Sequence, residues 1–388
     1  MKWPLKRLAE LGSVSTGSTP RTAEPRFYGG DLPFVTPAEL DTGLPVTATP
    51  RTLTDEGAAQ ARVLPEGAVM VCCIGSLGKI GIAGRSVATN QQINSVVFDR
   101  NQVWPGYGFH ACRLLKPKLD CMAPATTLPI VSKSRFAELT IPVPPLAEQR
   151  RIAEMLDRAE ALRAKRRAAL AHLDPLAQSL FLDLFGDPAT NPKGFPKKPL
   201  ASLVRDDDTI NYGVVQPGDD LEEGVPLVRV GDLIEGKVRH SDLKRIAPSI
   251  EAAYKRSRLR GDEILVSCVG SIGVVALANE SVKGFNIARA VARIPLAETA
   301  SRLFMAAYLS TDFVQRYFTN ELRTVSQPTL NIKQLAETTV VLPPIDLQRE
   351  FARRATAVEK LKAAQCASLT ELDALFACLQ HRAFRGEL

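Results

Sequence analysis

No stretch of this 388-residue chain approaches the roughly 18 consecutive apolar residues that a membrane-spanning helix needs. The opening Met1-Lys2-Trp3-Pro4 lacks the apolar core of a secretory signal. A cytoplasmic protein with no membrane partner is expected. Histidine is scarce: His110, His172, His240 and His381 are widely scattered, and none falls in an HExxH pattern. The seven cysteines, Cys72, Cys73, Cys112, Cys121, Cys268, Cys366 and Cys378, are odd in number and show no CxxC spacing. Several lie inside apolar runs, which reads as reduced core thiols rather than disulfides or zinc ligands, so no metal is expected. A Walker loop is missing, as is the acid-and-lysine cluster of a nuclease. The adenine-site motif of a DNA methyltransferase is also absent, because Asn191-Pro192 runs on into Lys193 rather than a second proline and an aromatic. The sequence therefore offers no self-contained chemistry, and neither a catalytic residue nor a cofactor of its own is expected.

What is present is an ordinary globular composition, 45% hydrophobic and 23% charged. The chain is longer than one hydrophobic core usually organises, so two or more domains are expected. Its formal net charge of +7 is compatible with a polyanionic partner, a weak signal on its own.

The chain repeats itself. PPLAEQRRI at 144–152 matches PPIDLQREF at 343–351 at an offset of 199, and the same offset pairs Leu162 with Leu361, Leu170 with Leu369 and Leu173 with Leu372. Upstream, GSLGKIGIA at 75–83 aligns with GSIGVVALA at 270–278, each after an apolar run, and LPFVTPAEL at 32–40 parallels VPLVRVGDL at 225–233. The plan is one mixed domain and one helix, used twice. Runs at 69–74, 264–269 and 291–294 are rich in β-branched residues and the first two end at Gly-rich turns, as strands do. Residues 301–318 have helical spacing. The expected class is α+β, with mixed domains at 1–143 and 189–342 and helices at 144–188 and 343–388.

Each helical tail follows a Pro-Pro pair and carries an acid in its first turn. Heptads counted from Ile152 put Ile152, Leu156, Leu170, Leu173 and Leu180 on one seam, matched by Phe351, Val358, Leu369, Leu372 and Leu379. Leu162 and Leu361 are included as pairing residues because they match each other. Pro175 follows Asp174 and is expected to kink or restart the first helix, with Asp174 as a cap. The seam is polar at Arg163 and Arg166, and at Lys362 and Gln365 in the second copy. Two outcomes stay open: these layers meet near the helix centres, or the seam drifts onto Met155, Leu162 and Leu176 and leaves all four solvated. If they meet, changing all four to leucine is expected to raise the melting temperature and loosen the register.

The order of GSTPRTAEPRFYGGDLPFVTPAEL at 17–40, IPVPPLAEQRRIAEMLD at 141–157, SLFLDLFGDP at 179–188, VLPPIDLQREF at 341–351 and LQHRAFRGEL at 379–388 resembles the specificity subunit of type I restriction-modification systems. The resemblance covers essentially the whole chain. It departs at Asp346 and Leu347, which stand where the first copy has Ala147 and Glu148, and at Pro175, whose counterpart is Ala374. It implies two target-recognition domains, each reading half of a bipartite, asymmetric double-stranded DNA site, separated by two long helices paired antiparallel about a pseudo-two-fold axis. The implied partners are two modification subunits and the restriction subunits, which would hold the S-adenosylmethionine, ATP and Mg. A coiled-coil adaptor that reads no DNA is the alternative; it explains the helices but not the duplicated β-rich domains.

Candidate contacts follow from residue chemistry. The run TNQQIN at 89–94 supplies Asn90, Gln91 and Gln92, and its rough counterpart FNIAR at 285–289 supplies Asn286 and Arg289. Amide side chains of this type contact adenine bidentately, though they are also routine in loops. Lys244, Arg245, Lys255, Arg256, Arg258 and Arg260 around Tyr254 form a basic cluster, to be weighed equally as a phosphate contact and as a solvated face. Lys79, Lys133, Arg135 and Lys333 complete the candidates. GSLG and GSIG read as tight turns rather than phosphate loops, since the GxxxxGK[ST] form is absent. Glu148, Gln149, Arg150 and Arg151 at a helix start read as capping, solvating or partner-binding residues.

Overall fold

The computed structural model describes residues 3–123, 128–321 and 328–388. The apolar runs before the two GSxG motifs form strands, Val69–Cys72 and Ile264–Ser267, buried at every residue. Successive side chains on a strand point to opposite faces, and here both faces are covered. Val69 and Val71 enter a core with Leu8, Val96 and Ile152, whereas Met70 and Cys72 enter another with Val35 and Ile93. Ile264 and Val266 part from Leu265 in the same way. Burial on both faces is why these strands read as unbroken apolar runs rather than as alternation.

The chain divides into two compact units, residues 1–170 with 364–388, and residues 171–363. In the first, an antiparallel sheet is ordered Gly12–Thr16, Ile93–Phe98, Val69–Cys72, Ile80–Ile82. A second sheet pairs Tyr28–Val35 with Val87–Thr89 in parallel, Phe34 opposite Ala88. The second unit repeats the plan: Asn211–Tyr212, Val291–Ile294, Ile264–Ser267 and Val275–Leu277 lie in order in one sheet, and Val225–Val228 pairs in parallel with Asn286–Ile287. Both GSxG motifs are hairpin turns. Gly75, Gly78, Gly270 and Gly273 all have φ between 77° and 81°, where glycine is favoured. The apolar spacing over 301–318 resolves into two helices, Arg302–Leu309 and Asp312–Asn320, broken at Ser310 and Thr311.

The first tail is helical over Leu146–Leu173 and again over Leu176–Phe185, while the second runs unbroken from Ile345 to Arg385. Pro175, not Asp174, occupies the cap position, and Asp174 instead pairs with Lys362 at 3.0 Å. Pairing within each unit is antiparallel. In the first, Arg151 reaches the Leu388 carbonyl, Arg163 reaches Asp373 and Arg166 reaches Gln365. In the second, Lys362 lies against Asp174, and Phe351 against Phe181 and Phe185. The seam is deep only at the helix ends: Ile152, Leu156, Phe351, Ala355, Phe376 and Ala383 are buried. Leu170, Leu173, Leu180, Val358, Leu369, Leu372 and Leu379 are half-buried.

Leu162 and Leu361 depart from the expected pairing, being 53% and 47% exposed. Each lies away from the buried stripe of its helix, so the match between them reflects the repeat and not a packed contact. The seam does not drift onto Leu176 either, which is 42% exposed. Of the four polar residues, Arg166 and Gln365 meet at 2.6 Å, whereas Arg163 bonds Glu160 and Asp373 and Lys362 bonds Asp174. All seven thiols are free. Cys72, Cys73, Cys112 and Cys268 are core residues, but Cys121, Cys366 and Cys378 are exposed, because the helices carrying them bury only a narrow stripe. Among the described residues no helix is long and apolar enough to cross a membrane.

Candidate nucleic-acid interface

In the first unit, three loops meet. The strand ending at Thr16 passes into Gly17, whose added Cβ would collide with the Asn90 carbonyl oxygen, so glycine is required there. The backbone amides of Gly17 and Ser18 donate to Ile93 and Thr89 carbonyls at 3.0 and 2.9 Å, holding this loop across the amide-rich run. The GSLG turn and the segment at 129–131 close the group: Cys73 N donates to Gln92 O, Val131 N to Cys73 O and Gly75 N to Pro129 O, all within 2.9 Å. Asn90 is buried, its Nδ2 donating to Gln92 Oε1 at 2.9 Å and its Oδ1 accepting from Gln92 N at 3.1 Å. Gln91 is exposed, and its Oε1 accepts from Thr19 Oγ1 at 2.5 Å. Arg62 donates to the Thr16 carbonyl beside them at 2.8 Å.

The second unit builds the same cluster from different side chains. Gly213 stands where Gly17 does, its added Cβ colliding with the Ile287 carbonyl oxygen. Val214 N donates to Ile287 O at 2.8 Å, as Ser18 N does to Thr89 O; Cys268 N donates to Ala290 O at 2.7 Å, as Cys73 N does to Gln92 O. Leu330 N meets Cys268 O at 2.9 Å, and Ala288 N donates to Val228 O as Asn90 N does to Val35 O. These bonds align residues 88–92 with 286–290. Arg289 therefore takes the place of Gln91, and it too is exposed.

That alignment corrects the reading of Asn286. Its counterpart is the core residue Ala88, and Asn286 is itself 0% exposed. Its amide is consumed internally: Oδ1 accepts from Ser257 Oγ at 2.7 Å and Ile287 N at 2.8 Å, and Nδ2 donates to Tyr254 O at 3.1 Å. A base cannot reach it. Arg258 is committed as well, bonded to both oxygens of the buried Glu251 at 2.7 and 2.6 Å, which holds that carboxyl below its ordinary value. The basic cluster is thus not a single patch. Arg260 pairs with Asp207 and Asp208 at 3.4 and 3.5 Å. Lys244 donates to Gly218 O, Arg245 donates to Gly224 O, and Tyr254 is half-buried against Val214, Leu227 and Ile246.

Lys255 and Arg256 remain exposed without an ion pair among the described residues, and the Asn211 side chain donates to Arg256 O, placing that turn beside the strand that leads into Gly213. Lys133 and Lys333 are exposed on equivalent short helices, Lys133–Ala137 and Ile332–Ala336, that start just after Val131 and Leu330. Lys333 lies 3.8 Å from Glu337, and Arg135 donates to Met122 O. Lys79 is half-buried on the flank of the GSLG turn, near Lys116 and Arg113, beside a cavity of about 690 Å³.

Gln149 and Gln348 are buried braces, a role the sequence reading did not assign to Gln149. Gln149 donates to Pro144 and Gln102 carbonyls at 2.8 and 2.9 Å and accepts from Trp104 N at 2.8 Å, gripping the start of helix Pro105–Arg113. Gln348 donates to Pro343 O at 2.8 Å and accepts from Ser301 N at 2.9 Å, at the start of Arg302–Leu309. The signal was available, since glutamine is the shared interior residue of PPLAEQRR and PPIDLQRE. Glu148 meanwhile pairs with Arg151, and Arg150 lies over the Trp104 ring at 4.9 Å.

Comparison with known proteins places this architecture. Residues 1–172 and 198–371 match the type I restriction modification DNA specificity domain. The chain is 30% identical over 332 residues to the EcoBI specificity subunit of Escherichia coli, covering 77% of this chain and 69% of that one. With the MjaIX specificity subunit of Methanocaldococcus jannaschii it shares 25% identity over 258 residues, 60% of this chain and 59% of the relative. Among solved structures, the type I restriction-modification S subunit from M. genitalium superposes with a TM-score of 0.63 at 16% identity, over 99% of this chain and 96% of that one. Two copies of one matched domain, each with its helix, agree with the internal repeat read from the sequence, and the chain belongs to the type I restriction-modification DNA specificity family.

Proposed function

We propose that this chain is the sequence-reading subunit of a type I restriction-modification complex, each unit reading one half of a bipartite, asymmetric double-stranded DNA site through its three-loop cluster. One observation carries the reading: two clusters share four equivalent backbone hydrogen bonds yet present different side chains, Gln91 in one and Arg289 in the other. A duplicated scaffold with divergent tips suits two half-sites of different sequence. The exposed cations beside the clusters, Arg62, Lys133, Lys255 and Arg256, would meet phosphates, which position a protein without specifying sequence.

The boundaries that go with this reading are recognition domains at 1–143 and 189–342 and shared helices at 144–188 and 343–388. The chain would act without chemistry of its own, in a cytoplasmic complex with two modification subunits and with restriction subunits. S-adenosylmethionine, ATP and Mg would reside in those partners.

The test is to assemble the chain with its modification subunits, map the methylated adenines in cellular DNA and measure duplex binding across a salt series. A two-part methylated motif, with a preference for that duplex that persists at raised salt, is expected. Methylation without a motif would favour the adaptor. Replacing 189–342 by the same region of another specificity subunit should change one half-site only; a change in both would overturn independent reading.

A further inference from the structure

Gln91 and Arg289 occupy one backbone position used twice. Beside Gln91, Asn90 is buried with its amide bonded to Gln92, Gln92 is half-buried with its Oε1 taken by Asn90, and of the three only Gln91 is exposed. Thr19 donates to one lone pair of Gln91 Oε1, which orients the amide while leaving the second lone pair and both Nε2 hydrogens available. An oriented amide with one acceptor and one donor side by side matches N6 and N7 of adenine. At the equivalent place Arg289 has no ion pair among the described residues, and its backbone is held by the bond from its N–H to Val214 O at 2.8 Å. A guanidinium presents a rigid fork of donors, which matches O6 and N7 of guanine.

We infer that Gln91 and Arg289 are equivalent base-reading residues, Gln91 selecting an adenine in one half-site and Arg289 a guanine in the other, with Thr19 as the positioning residue for Gln91. This rests on the reading of the loop clusters as the DNA interface. It assigns the asymmetry of the target at this position to a single side-chain difference on a common backbone.

The experiment uses the chain in complex with its modification subunits and duplexes carrying each of the four bases at every position of the mapped motif. Gln91→Ala should lose discrimination at one adenine in one half-site by roughly 5- to 100-fold and leave the other half-site unchanged. Gln91→Arg should shift that position toward guanine, and Arg289→Gln should shift the matching position of the other half-site toward adenine. Thr19→Val should weaken the adenine preference without altering its position. Unchanged preference at every position in the Gln91 and Arg289 variants would overturn the inference. So would loss of binding to all duplexes alike, with melting preserved, since Gln91 would then be anchoring and not reading. Arg62→Ala and Arg256→Ala separate the two levels. If they weaken binding uniformly while the Gln91 and Arg289 variants keep the native motif, only this inference fails; if none of the variants affects binding, the loop clusters are not the interface.

Discussion

The two units attach their helix pairs with different balances of charge and aromatic packing. In the first, Glu160 is buried and receives Arg163 at 2.6 Å, Arg113 at 2.9 Å and Arg167 at 3.3 Å, and Asp373 from the opposing helix meets Arg163 at 2.5 Å. The guanidiniums of Arg113 and Arg163 lie over the Phe376 ring, and His110 Nε2 is 2.8 Å from Asp157. In the second, rings predominate: Phe181 stacks on Phe304 at 5.8 Å, and Phe185 meets Phe304 and Phe351 edge-on at 4.9 and 5.5 Å, where the equivalent pair of the first unit is Tyr107 and Phe384 at 5.3 Å. The offset of 199 carries Glu160 to Glu359, which is exposed and only 3.8 Å from Lys362. What both units keep is the glutamine brace. A shared backbone plan needs the helix start gripped in one way, whereas the wide face of the helix pair accepts either charge or aromatic packing.

The largest effect expected is from Phe304→Ala, which leaves a cavity among three rings and should cost about 3–5 kcal/mol. Hydrogen exchange should show peptides of residues 176–185 and 345–355 opening while those of 146–160 keep their protection; equal opening in both would break the contrast. Next, Glu160→Ala should cost about 3 kcal/mol by leaving arginines clustered without their carboxylate, and its exchange signature should be confined to the first unit. Arg163→Leu should also destabilise, because it takes a cation from the buried Glu160 and from Asp373. The rise in melting temperature foreseen for replacing all four polar seam residues by leucine is therefore now expected only of Arg166→Leu with Gln365→Leu.

Gln149→Leu and Gln348→Leu sharpen the comparison from its shared side. Each strands a backbone N–H and one or two carbonyls, so about 2 kcal/mol is expected from either, with matching denaturation midpoints. A large inequality would mean that the brace is not common to both halves.

The pH response should differ too. Burial raises the Glu160 carboxyl, but the bonds and charges of Arg113, Arg163 and Arg167 bring it below its ordinary value of 4.5. A carboxyl depressed in the folded state stabilises above its unfolded value and loses that contribution as pH falls through the folded one. Protection of residues 146–160 should therefore decline as pH drops below about 4.5, with the aromatic dock of the second unit less affected. The smallest effect is expected at the matched leucines: Leu162→Gln or Leu361→Gln should change stability by under about 0.5 kcal/mol, as surface substitutions do.

The repeat, the α+β class, the buried strands ahead of each GSxG turn and the helical tails with their break at Pro175 were determined by the sequence alone. Each rests on local information: a period of two or 3.6, a β-branched run, a glycine that must adopt positive φ, a proline that cannot continue a ladder. The site was only partly legible. Residues 89–94 stood out by composition, but which of Asn90, Gln91 and Gln92 faces outward depends on bonds to one another and on Thr19, 72 residues away in sequence. Asn286 looked like their equal until Ser257, 29 residues upstream, took its oxygen. Gln91 and Arg289 could not be matched by sequence, because the offset between the halves changes from 195 at the GSxG turns to 198 at the amide run, and only backbone hydrogen bonds fix that register. A polar side chain's direction is set by long-range partners that no local period encodes, and so the tertiary structure decided it.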